Sequence, residues 1–398
     1  MLKTGVVDGV AERIGASLRA RTPPARRFFG AHGRALAEAS LRVAERLGSG
    51  GRIYAFGTGP YATDAQHVAV EFVHPVLVGK PALPAADLSA SFEASLPVLA
   101  GKRDVALGFG PPDGDARVTR ALAAARERGA FTIAWPGSPG DADFALPAAD
   151  DDEHLHQELF EIAGHLLYES VHVFLEHRPH RADAGASSFL YPFLGGEQRS
   201  PEALLERVTE SIAAKVEDAR ALRERVAAEE SGAMAAAART IATRLRGGGR
   251  LLLAGNGGSA TDAADWALDC VAPPRGLRPV PALSLASEAA TLTAIANDVG
   301  REFVFSRQLI AHAGCADVFV ALSTSGGSAN VICALEEARK RGSATIGLLG
   351  YDGGEILRRR LADHAIVVRS DYVPRVQEAQ AAVYHTLRHA LEWVCDGA

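Results

Sequence analysis

Four hydroxyl side chains lie within six residues, at a point where a predicted strand gives way to a predicted helix. The segment STSGGS occupies residues 323–328, after a predicted strand over 317–322 and before a helical pattern over 329–341. Hydroxyls and backbone N–H groups at a helix N-terminus bind phosphate well. A serine here could also serve only as a helix cap, but a cap requires one hydroxyl rather than four. The spacing therefore predicts a phosphate-binding loop at 323–328, which we call the serine loop.

A glycine-rich turn lies upstream between elements of the same kind. Residues 251–254 form a short apolar run typical of a buried parallel strand, GNGGS follows at 255–259, and residues 260–271 have helical spacing. Glycines let backbone N–H groups approach an anion, and the helix dipole favours negative charge there. Taken alone, the pattern fits either an anion site or a tight strand-to-helix turn without a ligand.

The first half of the chain contains a second copy of this turn. Residues 52–72, RIYAFGTGPYATDAQHVAVEF, align with the region around GNGGS at one constant spacing. The chain is therefore predicted to be an internal duplication. The matched pairs are Gly57 with Gly255, Gly59 with Gly257, Asp64 with Asp262, His67 with Asp265 and Glu71 with Asp269, followed at slightly larger spacings by Asp104 with Asp317, Gln157 with Gln377 and His165 with His385.

Strand and helix patterns alternate through both halves, which predicts an α/β fold with parallel, doubly wound sheets. The chain has 398 residues, enough for two domains of about 150–200 residues. We expect an N-terminal domain over 1–177, a Pro- and Gly-containing linker over 178–201 and a C-terminal domain over 202–398.

Composition bears on partners and location. The net charge of −6 and the absence of a basic stripe argue against nucleic acid as a partner. No apolar run approaches the ~20 residues of a membrane span, and no signal sequence is recognisable, so we expect a cytoplasmic protein without a membrane partner. The four cysteines have no CxxC spacing, which predicts reduced thiols and no zinc–thiolate site.

Four motifs together resemble the phosphoheptose isomerase family of sugar isomerase (SIS) domains. They are GNGGSA, ALSLASEAATLTAIANDVG, LSTSGGSANV and PRVQEAQAAVYH, and they occur in this order within residues 204–395. The first half resembles the same family more faintly. The resemblance implies two tandem SIS domains, each a three-layer sandwich with a central parallel sheet flanked by helices.

The resemblance also implies roles for individual residues. In that family, a metal and acid–base cluster comes from a His and a Glu four residues apart on one helix and a Gln and a His eight apart on another. Such spacings place each pair on one helix face. The implied substrate- and phosphate-binding residues are Asn256, Ser259, Asp298, Ser323, Thr324, Ser325, Ser328 and Gln377. The implied metal ligands are His67, Glu71, Gln157 and His165, with a divalent metal, by default zinc, as cofactor.

The two halves have lost complementary parts of this pattern. The first half keeps the cluster, but GPPDGD at 110–115 replaces the serine loop and Tyr61 replaces Ser259. The second half keeps the loop, but its helix pair is Asp265 and Asp269. We therefore expect the second half to hold phosphate and the first to supply metal or acid–base groups. Because family members form tetramers, a homodimer of the tandem chain, a pseudo-tetramer, is also expected.

The implied function is isomerisation of a ketose phosphate to an aldose phosphate through an enediol, with sedoheptulose 7-phosphate or a similar long-chain sugar phosphate as substrate. Such chemistry needs a base at one carbon and an acid at the neighbouring oxygen. Glu71 and His165 are the first candidates, and Asp269 and His385 would replace them if the second half works alone. The alternative is a non-catalytic SIS regulator or adaptor that binds a sugar phosphate. The isomerising domain of glucosamine-6-phosphate synthases also has tandem SIS halves, but its motifs fit less well.

Overall fold

The computed structural model describes residues 5–76, 79–177 and 201–396. Most of the predicted linker therefore lies outside the described residues, and Pro201 begins a helix. Within these ranges, no helix combines the length and the apolar character that a membrane crossing requires.

The first half forms a five-stranded parallel sheet with strand order β2-β1-β3-β4-β5. Two long helices precede the first strand. The elements are α1 (Gly5–Ala20), α2 (Thr22–Gly48), β1 (Ile53–Gly57), α3 (Tyr61–Val73), β2 (Ala85–Asp87), α4 (Phe92–Leu99), β3 (Val105–Phe109), α5 (Ala116–Glu127), β4 (Phe131–Trp135), β5 (Phe144–Ala145) and α6 (Glu153–Glu176).

The second half forms a second parallel sheet with the strand order β7-β6-β8-β9-β10. Strand by strand, this order repeats that of the first sheet. Its elements are α7 (Pro201–Glu229), α8 (Ser231–Arg246), β6 (Leu251–Ala254), α9 (Gly258–Val271), β7 (Ala282–Ser284), α10 (Ala289–Asp298), a 3₁₀ turn (Arg301–Phe303), α11 (Ser306–His312), β8 (Val318–Ser323), α12 (Ala329–Lys340), β9 (Ala344–Gly350), α13 (Gly354–Arg358), β10 (His364–Val368) and α14 (Val373–Asp396).

Successive residues of the second sheet face two separate cores. Leu251, Leu253 and Val320 belong to one hydrophobic cluster, whereas Leu252 and Phe319 belong to another. Side chains alternate across a strand, and a parallel sheet buries both of its faces under helices. The predicted three-layer α/β sandwich is therefore confirmed.

Equivalent aspartates make the same hydrogen bonds in both halves. Asp104 accepts from the backbone N–H groups of Arg52 and Gly101, at 2.9 Å each. Asp317 accepts from those of Arg250 and Gly314, at 3.0 and 2.8 Å. Each carboxylate thus ties the chain before one central strand to the chain before its neighbour. The repeat identified by sequence spacing is therefore also a repeat of atomic contacts.

The compact units do not follow the predicted domain ranges. One unit contains residues 1–22 and 218–398, and the other contains residues 23–217. The first helix belongs with the second sheet, because Ile14 and Leu18 are fully buried in the same cluster as Met234. The start of α7 belongs with the first sheet, where Lys215 forms an ion pair with the buried Glu169.

We expect Asp104→Ala and Asp317→Ala to destabilise their halves by similar amounts, about 2 kcal/mol each, because each removes a charged acceptor from two backbone donors. Urea unfolding of the full chain measures the loss. Asp113→Ala, at an exposed position, is the matched control and should change stability little. A neutral effect at Asp317 would contradict this account of the repeat.

Candidate active site

The serine loop connects the end of β8 to the start of α12 and is held by its own hydroxyls. The N–H of Gly326 donates to Ser323 Oγ at 3.1 Å, and the N–H of Gly327 donates to Ser325 Oγ at 3.2 Å. Gly326 has φ +59°, and a Cβ there would lie 2.2 Å from the carbonyl oxygen of Gly353, so only glycine fits.

The N-terminus of α12 is not closed by a side chain. Ser328 stands at the N-cap position with extended backbone but makes no capping hydrogen bond. The alternative in which this serine serves as an ordinary cap therefore does not describe the loop. The hydroxyl-bearing loop thus leads into a helix N-terminus that Ser328 does not cap with its side chain, and such a combination suits phosphate oxygens.

The glycine turn lies beside the serine loop. Strands β6 and β8 pair in parallel, so the turn after β6 and the loop after β8 leave the same edge of the sheet. Ser259 is buried in the first turn of α9. The side-chain amides of Asn256 and Asn330 form two hydrogen bonds, at 3.0 and 2.8 Å, that join the two segments. The fold therefore brings the two predicted anion-binding segments together.

Two other predicted binding residues have less defined surroundings. Asp298 is exposed at the end of α10, and its carboxylate accepts from the side chain of Asn297 at 2.7 Å. Gln377, on α14, is buried, and its side-chain oxygen has no hydrogen-bond partner among the described residues. The roles of both residues stay predictions.

In the first half, α3 and α6 bring His67, Glu71 and His165 together. The Nε2 atoms of the two histidines are 3.2 Å apart, and His67 Nε2 lies 4.0 Å from Glu71 Oε1. All three residues are buried, and one ligand atom from each fits within 4.8 Å of the others. They line a small pocket together with Asp64, Val68, Phe109, Phe160, Glu161 and Gly164.

The donor set of this cluster fits a divalent cation. Two imidazole nitrogens and a carboxylate are the ligands of one class of catalytic zinc site. The Oε2 atom of Glu71 is buried without a hydrogen-bond partner in the described part of the chain, and a cation would satisfy it. Burial raises the pKa of Glu71 to about 7, opposed by His67 and reinforced by Glu169. A carboxylate with such a pKa is also suited to general base catalysis near neutral pH.

Gln157 lies outside this group of three. Its side-chain N–H donates to Asp64 at 3.1 Å, so its amide contacts a neighbouring carboxylate on α3. Of the four metal ligands predicted for the first half, the structure therefore clusters three. The assignment of Gln157 as a ligand stays a prediction.

The corresponding helices of the second half carry a different cluster. His385 Nε2 lies 3.1 Å from Asp269 and 3.5 Å from Asp265, and all three side chains are buried. The hydroxyl of Tyr384 donates to Asp265 at 2.7 Å, and its ring stacks on Trp266. Sequence reasoning missed Tyr384. The sequence did contain a sign of this residue. Tyr384 aligns with Gly164 of the first half, so a tyrosine side chain precedes the candidate histidine where the first half has a glycine.

In the first half, a carboxylate of the chain occupies the position of the serine loop. Asp115 caps α5 by accepting from the N–H of Arg117 at 2.7 Å, and it accepts from the hydroxyl of Thr58 at 2.8 Å. This helix N-terminus therefore already holds a negative charge. The contacts support the prediction that the first half lost phosphate binding.

His156 is hydrogen-bonded to the loop at 110–115, which stands where the second half has its serine loop. The N–H of Ala149 donates to its Nδ1 at 3.1 Å, so the ring proton is on Nε2, which donates to Gly110 O at 3.1 Å. The side chain is fully buried, and burial lowers its pKa to about 4. The neutral ring thus joins the chain before α6 to the loop after β3.

Comparison with known proteins gives a consistent family assignment. A family model for the SIS domain matches residues 216–350. The phosphoheptose isomerase of Solidesulfovibrio magneticus is 43% identical over 183 residues, which cover 46% of this chain and 88% of that protein. That of Trichlorobacter lovleyi is 42% identical over 182 residues, 46% of this chain and 92% of that protein.

The chain belongs to the phosphoheptose isomerase family. Several solved structures match both halves at once. One of them is the C-terminal domain of the glucosamine-fructose-6-phosphate aminotransferase of Francisella tularensis, with a TM-score of 0.59 and 8% identity, covering 99% of this chain and 97% of that one. At this identity the match shows the fold alone. The predictions of tandem SIS domains and of a sugar-phosphate isomerase are confirmed.

We expect stability to fall between pH 6.5 and 4 partly through His156. Its folded-state pKa of about 4 lies below the ordinary value of 6.5. The unfolded chain therefore binds more protons in this range, and the contribution, up to about 3 kcal/mol, is complete above it and lost as the pH falls.

Urea unfolding at pH 7 and pH 4.5 measures this dependence. His156→Gln keeps a donor towards Gly110 but cannot titrate, so its stability should change less with pH than that of the unmodified chain. His74→Gln, at an exposed position, is the matched control and should retain the full dependence. Equal pH dependence in His156→Gln and the unmodified chain would contradict the assignment.

Proposed function

We propose that the chain isomerises a long-chain ketose phosphate to the corresponding aldose phosphate, with sedoheptulose 7-phosphate as the default substrate. One observation carries the proposal. The N-terminus of α12, which Ser328 does not cap, its serine loop and the glycine turn all lie at the same edge of the second sheet. The relatives named phosphoheptose isomerase support the choice of substrate.

The phosphate would be held by Ser259, Ser323, Thr324, Ser325 and Ser328. Their hydroxyls, the N–H groups of the loop and the dipole of α12 all favour an anion. Asn256, Asp298 and Gln377 would bind the rest of the sugar. No comparable phosphate site is proposed for the first half, because Asp115 already fills that helix N-terminus.

The acid–base step has one candidate pair in each half. A base removes the C1 proton of the ketose, an acid moves a proton between the neighbouring oxygens, and the enediol takes up a proton at C2. In the first half, Glu71 would be the base and His165 the acid. In the second half, Asp269 and His385 would take these roles, and they lie within hydrogen-bond distance of each other at 3.1 Å.

A divalent metal, with zinc as the default, would be held by His67, Glu71 and His165, with Gln157 as the fourth predicted ligand. When bound, such an ion polarises a carbonyl oxygen. The homodimer and the cytoplasmic location remain predictions of the same proposal.

Proton NMR of the purified full chain with sedoheptulose 7-phosphate in D₂O tests the function. We expect new aldose anomeric signals and deuterium at C2, and loss of turnover on chelation that added zinc restores. Turnover that persists in chelator would remove the metal from the proposal. Saturable binding without turnover would favour the alternative, a regulator that binds a sugar phosphate.

Isosteric amide variants separate the two candidate bases. We expect Glu71→Gln to lower kcat by about 100-fold or more while the dissociation constant for the sugar phosphate stays within about threefold, because general base catalysis contributes on that scale. Asp269→Asn is the matched variant in the other half. If Glu71→Gln is fully active and Asp269→Asn is inactive, the first half is a scaffold and the second half carries the chemistry.

A further inference from the structure

Asn256 and Asn330 are 74 positions apart, yet their side chains pair through both of their functional groups. Asn256 Nδ2 donates to Asn330 Oδ1 at 3.0 Å, and Asn330 Nδ2 donates to Asn256 Oδ1 at 2.8 Å. Asn256 belongs to the glycine turn, and Asn330 is the second residue of α12. The pair therefore closes a ring of two hydrogen bonds across the proposed phosphate site.

A reciprocal pair of this kind fixes the orientation of each amide relative to the other. Turning one amide by 180° would set oxygen against oxygen and nitrogen against nitrogen, and both bonds would be lost. Each amide has two N–H donors and two acceptor positions, and the pair uses one of each. One N–H and one acceptor position of Asn256 are therefore left over in the plane that the pair holds, on a residue that is exposed.

The pair is too exposed to matter greatly for stability. An ordinary hydrogen bond contributes little net stability, and an exposed one must also offset the entropy of holding two side chains in place. The backbone beside each amide is already constrained, by Gly257 at φ +57° and by the serine loop with Gly326 at φ +59°. What the pair adds is the orientation of the amides.

We propose that Asn330 is a positioning residue that orients the Asn256 side chain toward an oxygen of the bound sugar. Asn330 acts through Asn256 and contributes no separate binding contact. The proposal rests on the sugar-phosphate function proposed above and adds a residue to it. It treats the amide pair as part of the binding site, set in place before the ligand arrives.

The chain contains three asparagines, Asn256, Asn297 and Asn330, so selective ¹⁵N-asparagine labelling gives three pairs of side-chain amide signals. We expect Asn330→Ala to shift the Asn256 signals strongly and to leave those of Asn297 in place. Asn256→Ala should likewise shift the Asn330 signals strongly and leave those of Asn297 in place. Unchanged Asn256 signals in Asn330→Ala would overturn the proposal whether or not the protein is an enzyme.

A double-variant cycle on binding tests the positioning role itself. Asn256→Ala and Asn330→Ala should each weaken the binding of sedoheptulose 7-phosphate by about tenfold, the effect of one well-oriented hydrogen bond. The double variant should be no weaker than Asn256→Ala, because Asn330 acts only through Asn256. Inorganic phosphate should bind all three variants within about twofold of the unmodified chain, because the serine loop is intact.

Lys340→Ala, at the exposed far end of α12, controls for general effects on that helix and should bind like the unmodified chain. If the losses of affinity in the two single variants multiply in the double variant, the proposal is overturned, because Asn330 then contributes to binding independently of Asn256. Equal losses for sugar phosphate and inorganic phosphate would overturn it as well, because they would mean that the loop had collapsed. If the unmodified chain binds no sugar phosphate, the proposed function fails first, and the NMR result decides separately whether the amides are paired.

Discussion

The N–H groups at the start of an α-helix need an acceptor, and the two halves of this chain supply it differently. At the start of α5, the carboxylate of Asp115 is that acceptor. At the start of α12, Ser328 makes no capping bond, and the serine loop surrounds the helix end with hydroxyls. The same fold position is therefore closed by an internal anion in one half and open to an external anion in the other.

The candidate acid–base groups differ between the halves in a related way. In the first half, two imidazoles and a carboxylate converge, and burial raises the pKa of Glu71. In the second half, the histidine meets two aspartates, one of which is hydrogen-bonded to Tyr384. The first arrangement has the donors of a zinc site, whereas the second resembles a histidine–carboxylate dyad supported by a tyrosine. A chain that keeps the serine loop in only one half has thus kept buried candidate acid–base groups in both.

Much of the fold followed from local pattern. Apolar runs, glycine turns and helical spacing predicted the strand–helix alternation of both halves, and constant spacing of matched residues revealed the repeat. The assignment of α1 to the second unit was not predicted, because the sequence does not say which core will bury Ile14 and Leu18. Spacing on one helix likewise placed His67 with Glu71, but only the fold shows Gln157 contacting Asp64. The Asn256–Asn330 pair and the neutral ring of His156 join segments far apart in sequence, and no local pattern encodes such contacts.

We propose that one half of each chain binds phosphate and that the other does not. Equilibrium dialysis of the full chain against labelled sedoheptulose 7-phosphate measures this directly, because it counts bound phosphate whether or not the sugar is isomerised. We expect saturation at one sugar phosphate per chain, and we expect this binding to be lost when Ser323 and Ser325 are both replaced by alanine. Saturation at two per chain, or binding that persists in that double variant, would contradict it.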